Sequence, residues 1–250
     1  MKKIKFLTII ILSLLNENTY SKPAKLNYFK TGAGLSTFLY SQYIYKKKTD
    51  NFHIYKVENV NPFDSFMRKK VKWKKNMDKA SFCSDILLYG IALGSLPITA
   101  SIIDGNYSKN LLFYLNVISV NGIITNITKN ISSRERPYYR HNPSQIKSNE
   151  SYKSFYSGHT STVFAISTSS SLLLSNQFPH KKDIIWLTTF SLSSLTGYYR
   201  IASDKHYTTD VIFGALMGIA TGYFMYTDHI KRGLKLSLSN NYIQLSYNLE

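Results

Sequence analysis

Five apolar segments follow one another along the chain after residue 80. They are residues 83–103, 111–127, 160–175, 184–199 and 211–226. As a helix rising about 1.5 Å per residue, the first would be about 31 Å long, enough to cross the hydrocarbon core of a bilayer. Several of the others are short for a span and rich in Ser or Thr. The pattern predicts an all-α helical bundle, either a multi-span membrane protein or the buried core of a soluble bundle.

The N-terminus has the pattern of a signal peptide. Three Lys among the first five residues precede an apolar run at 6–15, and the small residues Thr19 and Ser21 stand at plausible −3 and −1 positions. The apolar run is too short to span a bilayer. Residues 1–21 are therefore predicted to be a signal peptide, with an uncleaved anchor as the alternative.

Two further regions flank the predicted core at 80–230. Residues 22–79 mix aromatic and basic side chains, and the run 68–79 sets Trp73 among cations. This run is either a solvated basic face or a helix lying on anionic lipid headgroups. At the other end, polarity alternates on both sides of the Asn240–Asn241 pair, which predicts a β-hairpin in the tail 231–250.

The composition adds a strong positive charge. The chain has 31 Lys and Arg against 14 Asp and Glu, a formal net charge of +17. Such a charge suits nucleic acid, an anionic membrane surface or a phosphorylated substrate. The signal-peptide pattern and the membrane-length segments argue against nucleic acid. Cys83 is the one cysteine, so no internal disulfide can form, and the sequence lacks the spacing of a zinc site.

The first candidate chemical cluster follows segment 111–127. Lys129 and Arg136 are seven residues apart, two helical turns, so they share a face until Pro137 ends the helix. Taken alone, such a pair usually does no more than cap helix carbonyls.

Two more clusters stand at segment ends. Ser157, Gly158 and His159 precede segment 160–175, where Ser157 is a good N-cap and free N–H groups attract phosphate. Arg200 ends segment 184–199 and is followed by His206 and Asp210. The i, i+4 spacing of the last two suits a carboxylate that orients an imidazole.

Taken together, Lys-x6-Arg-Pro, Ser-Gly-His and Arg-x5-His-x3-Asp resemble the motifs of the type 2 phosphatidic acid phosphatases. The wider superfamily includes bacterial non-specific acid phosphatases, glucose-6-phosphatase and vanadium haloperoxidases. The resemblance covers roughly residues 81–226. Tyr156 and Tyr199 stand where the family commonly has Pro and Ser. Neither position supplies a reactive group, so we expect altered packing or selectivity.

The resemblance implies a role for each residue of the three motifs. His206 would attack phosphorus and form a phosphohistidine while Asp210 holds its other nitrogen, and His159 would protonate the leaving oxygen and later activate water. The phosphoryl oxygens would be held by Lys129, Arg136, Ser157, Gly158 and Arg200. No metal and no cofactor is implied. Arg134 and Arg140 either extend the anionic pocket or are solvated loop cations.

The resemblance implies a helical membrane phosphatase that hydrolyses phosphomonoesters or pyrophosphates of lipids, either lipid headgroups or polyprenyl carriers. Its partners would be a phosphorylated lipid and the membrane, with no nucleic acid, and its oligomeric state stays open. Alternating spans would place the three motifs on the periplasmic or exterior face of a bacterial inner membrane. The alternatives are a soluble periplasmic acid phosphatase, a lipid phosphotransferase and a basic lipid-binding pseudo-phosphatase.

Overall fold

The computed structural model describes residues 25–47, 60–103, 107–142, 149–239 and 242–247. The predicted signal peptide lies outside these residues. The described chain is almost entirely helical. In chain order its helices are α1 (Lys25–Lys47), α2 (Pro62–Val71), α3 (Met77–Tyr89), a π-helical turn (Gly90–Ser95), α4 (Leu96–Ile102), α5 (Tyr107–Ser132), α6 (Pro137–Arg140), α7 (Gly158–Gln177), α8 (Lys182–Ala202) and α9 (Thr208–Gly233), with short 3₁₀ turns at Asn149–Tyr152 and Pro179–Lys181.

Three glycines let α9 pack directly on the backbone of α7. Gly214, Gly218 and Gly222 are spaced four residues apart, so they share one face of α9. A Cβ added at Gly218 would lie 2.3 Å from the carbonyl oxygen of Ser161, far inside van der Waals contact. Small residues at this spacing allow two helices to approach closely. The two helix starts that carry candidate motifs are thereby held side by side.

Helix α7 is buried although it is rich in Ser and Thr. Its hydroxyls pair with those of α8: Ser167 Oγ lies 2.8 Å from Ser193 Oγ, and Ser171 Oγ lies 2.7 Å from Thr189 Oγ1. Buried polar groups cost free energy unless they are hydrogen-bonded, and these pairs satisfy one another. The weak hydrophobicity of segment 160–175 therefore reflects hydroxyl pairing between neighbouring helices.

Among the described residues, three helical stretches are long and apolar enough to cross a membrane, judged by length and composition. They are Met77–Ile102, Tyr107–Arg140 and Thr208–His229. They contain three of the five apolar segments. The other two, 160–175 and 184–199, lie within α7 and α8. On α8 the apolar residues Ile184 and Leu187 are strongly exposed, as expected where a helix faces lipid.

Buried ion pairs fasten α2 to the rest of the bundle. Asp64 accepts hydrogen bonds from the backbone N–H and the Oγ1 of Thr209, at 2.9 and 2.6 Å. Arg68 and Lys72 both pair with buried Asp204, at 2.6 and 2.8 Å. The sequence suggested that run 68–79 is either a solvated face or a lipid-contacting helix. Neither interpretation describes Arg68 and Lys72, which hold the loop just before His206.

Two strands follow α9. Strands β1 (Leu234–Ser239) and β2 (Tyr242–Tyr247) pair antiparallel, with Leu234 opposite Tyr247 and Leu238 opposite Ile243.

Candidate active site

One cavity of about 410 Å³ opens where several helix ends meet. Its walls include five residues of the predicted site: Lys129, Arg136, His159, Arg200 and His206. The backbone of Gly158 also lines it. The structure thus brings together residues from four separate stretches of the chain. Ser157 and Asp210 are buried close behind this wall.

The two cations of the first motif are held by backbone carbonyls. Lys129, in the last turn of α5, donates from Nζ to the carbonyl oxygen of Lys153 at 3.0 Å. Arg136 follows an extended link and donates from Nε to the carbonyl oxygen of Glu150 at 2.7 Å. These contacts fix the positions of both charges without neutralising Lys129. Both cations are preorganised to bind an anion in the cavity.

The start of α7 closes one side of the cavity. Ser157 is its N-cap, and the Ser157 Oγ accepts hydrogen bonds from the backbone N–H and the Oγ1 of Thr160. A Cβ at Gly158 would lie 3.2 Å from the Thr125 side chain, so a larger residue would crowd the entrance. The free N–H groups of a helix start favour the binding of an anion such as phosphate.

His206 is oriented by a backbone carbonyl. Its Nδ1 lies 2.7 Å from the carbonyl oxygen of Ser154, whereas the nearest oxygen of Asp210 is 3.7 Å away. A carbonyl oxygen only accepts hydrogen bonds, so Nδ1 carries the proton and Nε2 keeps its lone pair. This arrangement differs from the expectation that Asp210 holds that nitrogen directly. Asp210 instead accepts from Ser154 Oγ at 2.5 Å and from the Tyr207 backbone N–H at 2.9 Å.

The surroundings of His206 favour its neutral form. Burial lowers the pKa of His206 well below its usual range, and the positive charges of Arg136 and Lys129 lower it further. At neutral pH the uncharged form of the imidazole is therefore favoured, with an unshared electron pair on Nε2.

Arg134 has a structural position that the sequence did not indicate. Its guanidinium bridges two buried carboxylates, with Nη1 at 2.5 Å from Asp210 and Nη2 at 2.8 Å from Asp64. It neither extends the cavity nor faces solvent alone. Arg140 pairs with Glu135 at 3.1 Å. The Arg134 bridge connects α2 to the start of α9. There the carboxylate of Asp210 also accepts the hydrogen bond from Ser154 Oγ.

Helix α3 contributes two site residues that the sequence analysis missed. Ser84 Oγ accepts from Arg200 Nη1 at 3.2 Å, and Asp85 Oδ1 lies 2.8 Å from His159 Nε2. A signal was present, because Asp85 is the one charged residue in segment 83–103. An ionisable residue in a membrane-length apolar segment marks a functional position by default.

His159 lies at the first turn of α7, ahead of segment 160–175. Burial, joined by the positive charge of Arg200, lowers the pKa of His159 to about 4, while the hydrogen bond with Asp85 acts to raise it. Among the described residues, no group of three or more His, Cys, Asp or Glu is placed to hold a metal ion.

Comparisons with known proteins identify relatives of this site and fold. The family model described as "PAP2 superfamily" matches residues 110–234, half of the chain. A 73-residue stretch, 29% of this chain, is 35% identical to lipid A 1-phosphatase of Porphyromonas gingivalis. This match spans 16% of that relative's length.

Two solved structures share the fold. A transmembrane PAP2 type phosphatidylglycerolphosphate phosphatase from Bacillus subtilis superposes with a TM-score of 0.55 at 17% identity, over 79% of this chain and 96% of that one. LpxE of Aquifex aeolicus superposes with a TM-score of 0.52 at 22% identity, over 68% of this chain and 98% of that one.

Proposed function

The chain belongs to the PAP2 superfamily, and from that premise we propose that it is a membrane-bound phosphatase acting on a phosphorylated lipid. The observation that carries the proposal is the cavity itself. Two histidines and three motif cations, supplied by four stretches of chain, line one space of about 410 Å³ together with Lys205. Relatives named lipid A 1-phosphatase and phosphatidylglycerolphosphate phosphatase agree with this assignment.

The first chemical step uses both histidines. Nε2 of His206 attacks the phosphorus, and the bond from phosphorus to the lipid oxygen breaks. His159 gives a proton to that departing oxygen, so the lipid leaves as an alcohol. The phosphoryl group is then bonded to His206, whose Nδ1–H stays on the carbonyl oxygen of Ser154 at 2.7 Å.

The second step releases phosphate. His159, now neutral, takes a proton from water as the water oxygen attacks phosphorus and the bond to His206 Nε2 breaks. Both histidines return to their starting states. Throughout, Lys129, Arg136 and Arg200 would hold the phosphoryl oxygens together with Ser157 and the N–H of Gly158, as charge shifts in the transition state.

The rest of the cavity suits a lipid. Beyond the cations, its walls include the apolar side chains of Phe38 of α1, Leu88 of α3 and Ile118 of α5, together with several polar side chains. Charged and apolar walls in one cavity fit a phosphate joined to a hydrocarbon. Two of these helices belong to the membrane-length stretches, so the substrate would enter from the bilayer.

We place the site on the periplasmic or exterior face. The turn between α7 and α8 carries Lys181 and Lys182, at the opposite ends of those helices from His159 and Arg200. Basic turns favour the cytoplasmic side of a membrane. A cleaved signal peptide at residues 1–21 would be compatible with this orientation.

Two other activities use the same cavity. A lipid phosphotransferase would pass the phosphoryl group from His206 to an alcohol in place of water. A soluble acid phosphatase would take small phosphoesters. The membrane-length stretches and the apolar cavity wall favour the lipid phosphatase over the soluble enzyme.

The test is phosphate release by the purified chain from a panel of lipid monophosphates and diphosphates, with short phosphoesters alongside. We expect release from at least one lipid and its loss in His206→Gln. The matched control is His180→Gln, which replaces an exposed histidine in the turn before α8. No release from any lipid phosphate, or full activity in His206→Gln, would refute the proposal. Added alcohol that captures the phosphoryl group would favour the phosphotransferase.

A further inference from the structure

Asp85 makes the closest ionic contact to His159. Its Oδ1 lies 2.8 Å from His159 Nε2 and 3.7 Å from Arg200 Nη1. Ser81 and Leu88, one turn to either side of Asp85 on α3, line the cavity. The carboxylate therefore lies on the face of α3 that turns toward the site, and its nearer partner is the imidazole.

The carboxylate of Asp85 is energetically unfavourable in an apolar, membrane-length helix. Asp85 lies within the apolar stretch Met77–Ile102, where charged side chains are unfavourable unless a function or a partner requires them. The side chain is 41% exposed, so it is not a buried structural ion. In a purely structural role, a neutral side chain would cost less free energy than this carboxylate.

A general acid at this position needs such a partner. The charged and titratable groups around His159 are Asp85 from α3, Lys129 from α5, Arg200 from α8 and His206 from the loop before α9. Lys129 and Arg200 oppose a positive charge on His159, and His206 is uncharged. Asp85 is the one carboxylate among them, so it alone favours the imidazolium form.

We propose that Asp85 is the positioning residue of the general acid: it holds His159 through Nε2 and stabilises the protonated ring that gives its proton to the leaving lipid oxygen. This inference rests on the proposed function and names a residue outside the three motifs. With Nε2 held by Asp85, Nδ1 is the nitrogen left to give the proton. Within the described part of the chain, Nδ1 of His159 makes no hydrogen bond.

The proton balance of the reaction is complete with this pair. In the first step the proton passes from His159 to the lipid oxygen as the phosphorus–oxygen bond breaks. In the second step a water proton returns to His159 as phosphate leaves His206. Asp85 stays ionised throughout and neither gains nor loses a proton.

The test compares leaving groups of different basicity. Dodecyl phosphate and 4-dodecylphenyl phosphate carry the same dodecyl group. A phenol, with a pKa of about 10, needs little protonation to leave, whereas an alkyl alcohol needs much more. In Asp85→Asn we expect kcat for the alkyl substrate to fall about 10- to 100-fold, within the roughly 10²–10⁴-fold that a general acid contributes. The aryl substrate should lose about threefold or less by the same reasoning. Asp85→Glu should restore part of the alkyl activity.

A pH profile separates this role from a structural one. Activity falls at high pH, where the general acid loses its proton. In Asp85→Asn, this high-pH fall of kcat should move about one unit to lower pH. It is measured on whichever lipid phosphate the wild type hydrolyses. The matched control, Asp78→Asn, removes an exposed carboxylate two turns away on the same helix and should change neither measurement.

Equal losses for both substrates with an unmoved pH limb, or no loss at all, would overturn the role of Asp85. Wild-type protein that releases phosphate from no lipid would overturn the proposed function. The two failures are therefore distinguishable.

Discussion

Replacing Arg134 by Met removes the bridge behind the site without touching the cavity. The guanidinium lies between two fully buried carboxylates, 2.5 Å from Asp210 and 2.8 Å from Asp64. Met has a similar length but carries no charge and donates no hydrogen bond. The variant therefore leaves two buried carboxylates without their shared counter-ion.

The expected cost is large because buried charges need partners. Removing one partner of a buried ion pair costs about 3–5 kcal/mol. The Arg134 side chain is 18% exposed, so solvent compensates little. For a chain of this size each kcal/mol shifts the melting temperature by about 2–4 °C, which predicts a drop of about 6–20 °C.

The assay is thermal unfolding of the detergent-solubilised protein, with phosphate release measured alongside. Because Asp210 accepts from Ser154, whose carbonyl holds His206, activity should fall as well. The matched control is Lys69→Met, which replaces an exposed cation on α2 and should cost less than about 1 kcal/mol.

A second substitution tests the cause. Adding Asp64→Asn to Arg134→Met removes one uncompensated charge and should recover part of the lost stability. If Arg134→Met melts within about 2 °C of wild type, or if Asp64→Asn lowers stability further in that background, the reasoning is refuted.

Two other predictions follow from the packing and the buried histidine. Gly218→Ala puts a Cβ 2.3 Å from the Ser161 carbonyl oxygen, so it should cost about 1–3 kcal/mol in chemical unfolding, whereas Gly94→Ala, with open space around it, should not. The folded-state pKa of His206 lies below its unfolded value, so the unfolded chain binds more protons and stability should fall as pH drops below about 6.5, by up to about 1.4 kcal/mol per pH unit. Melting curves of His206→Gln across this range should show a shallower dependence; an unchanged slope would contradict the assignment.

The motif residues were predictable from sequence because their relations are local. Lys129 and Arg136 share one helix end and its extension, and Ser157, Gly158 and His159 are consecutive. Each of these motifs also lies next to one end of an apolar segment. Since helix ends of an antiparallel bundle gather at the same side, the sequence was sufficient to predict that the sets meet.

The supporting partners were not predictable in this way. His159 and Asp85 are 74 positions apart, and Arg134 and Asp64 are 70 apart. No local spacing links such pairs; tertiary packing decides them. The Ser154 carbonyl could not be predicted as the partner of His206 either, because every residue has a backbone carbonyl. Spacing suggested Asp210 as the direct partner of His206, but Arg134, Ser154 and Tyr207 already occupy its oxygens.

The fold, like the site, was predictable from local sequence patterns but not in its tertiary contacts. Hydrophobic pattern predicted the helices, yet it could not show that the hydroxyls of α7 face those of α8. The glycines on α9 at four-residue spacing were visible in sequence. Their close approach to Ser157, Ser161 and Ala165 explains why α9 lies against α7.

The covalent intermediate tests the central claim most directly. His159→Gln should still let His206 attack an aryl lipid phosphate but should slow the attack of water, so labelled phosphoryl from 4-dodecylphenyl phosphate should accumulate on the protein. The account predicts about one acid-labile label per chain in His159→Gln, and none when His206→Gln is added. Label that persists without His206, or undiminished lipid hydrolysis in His206→Gln, would contradict it.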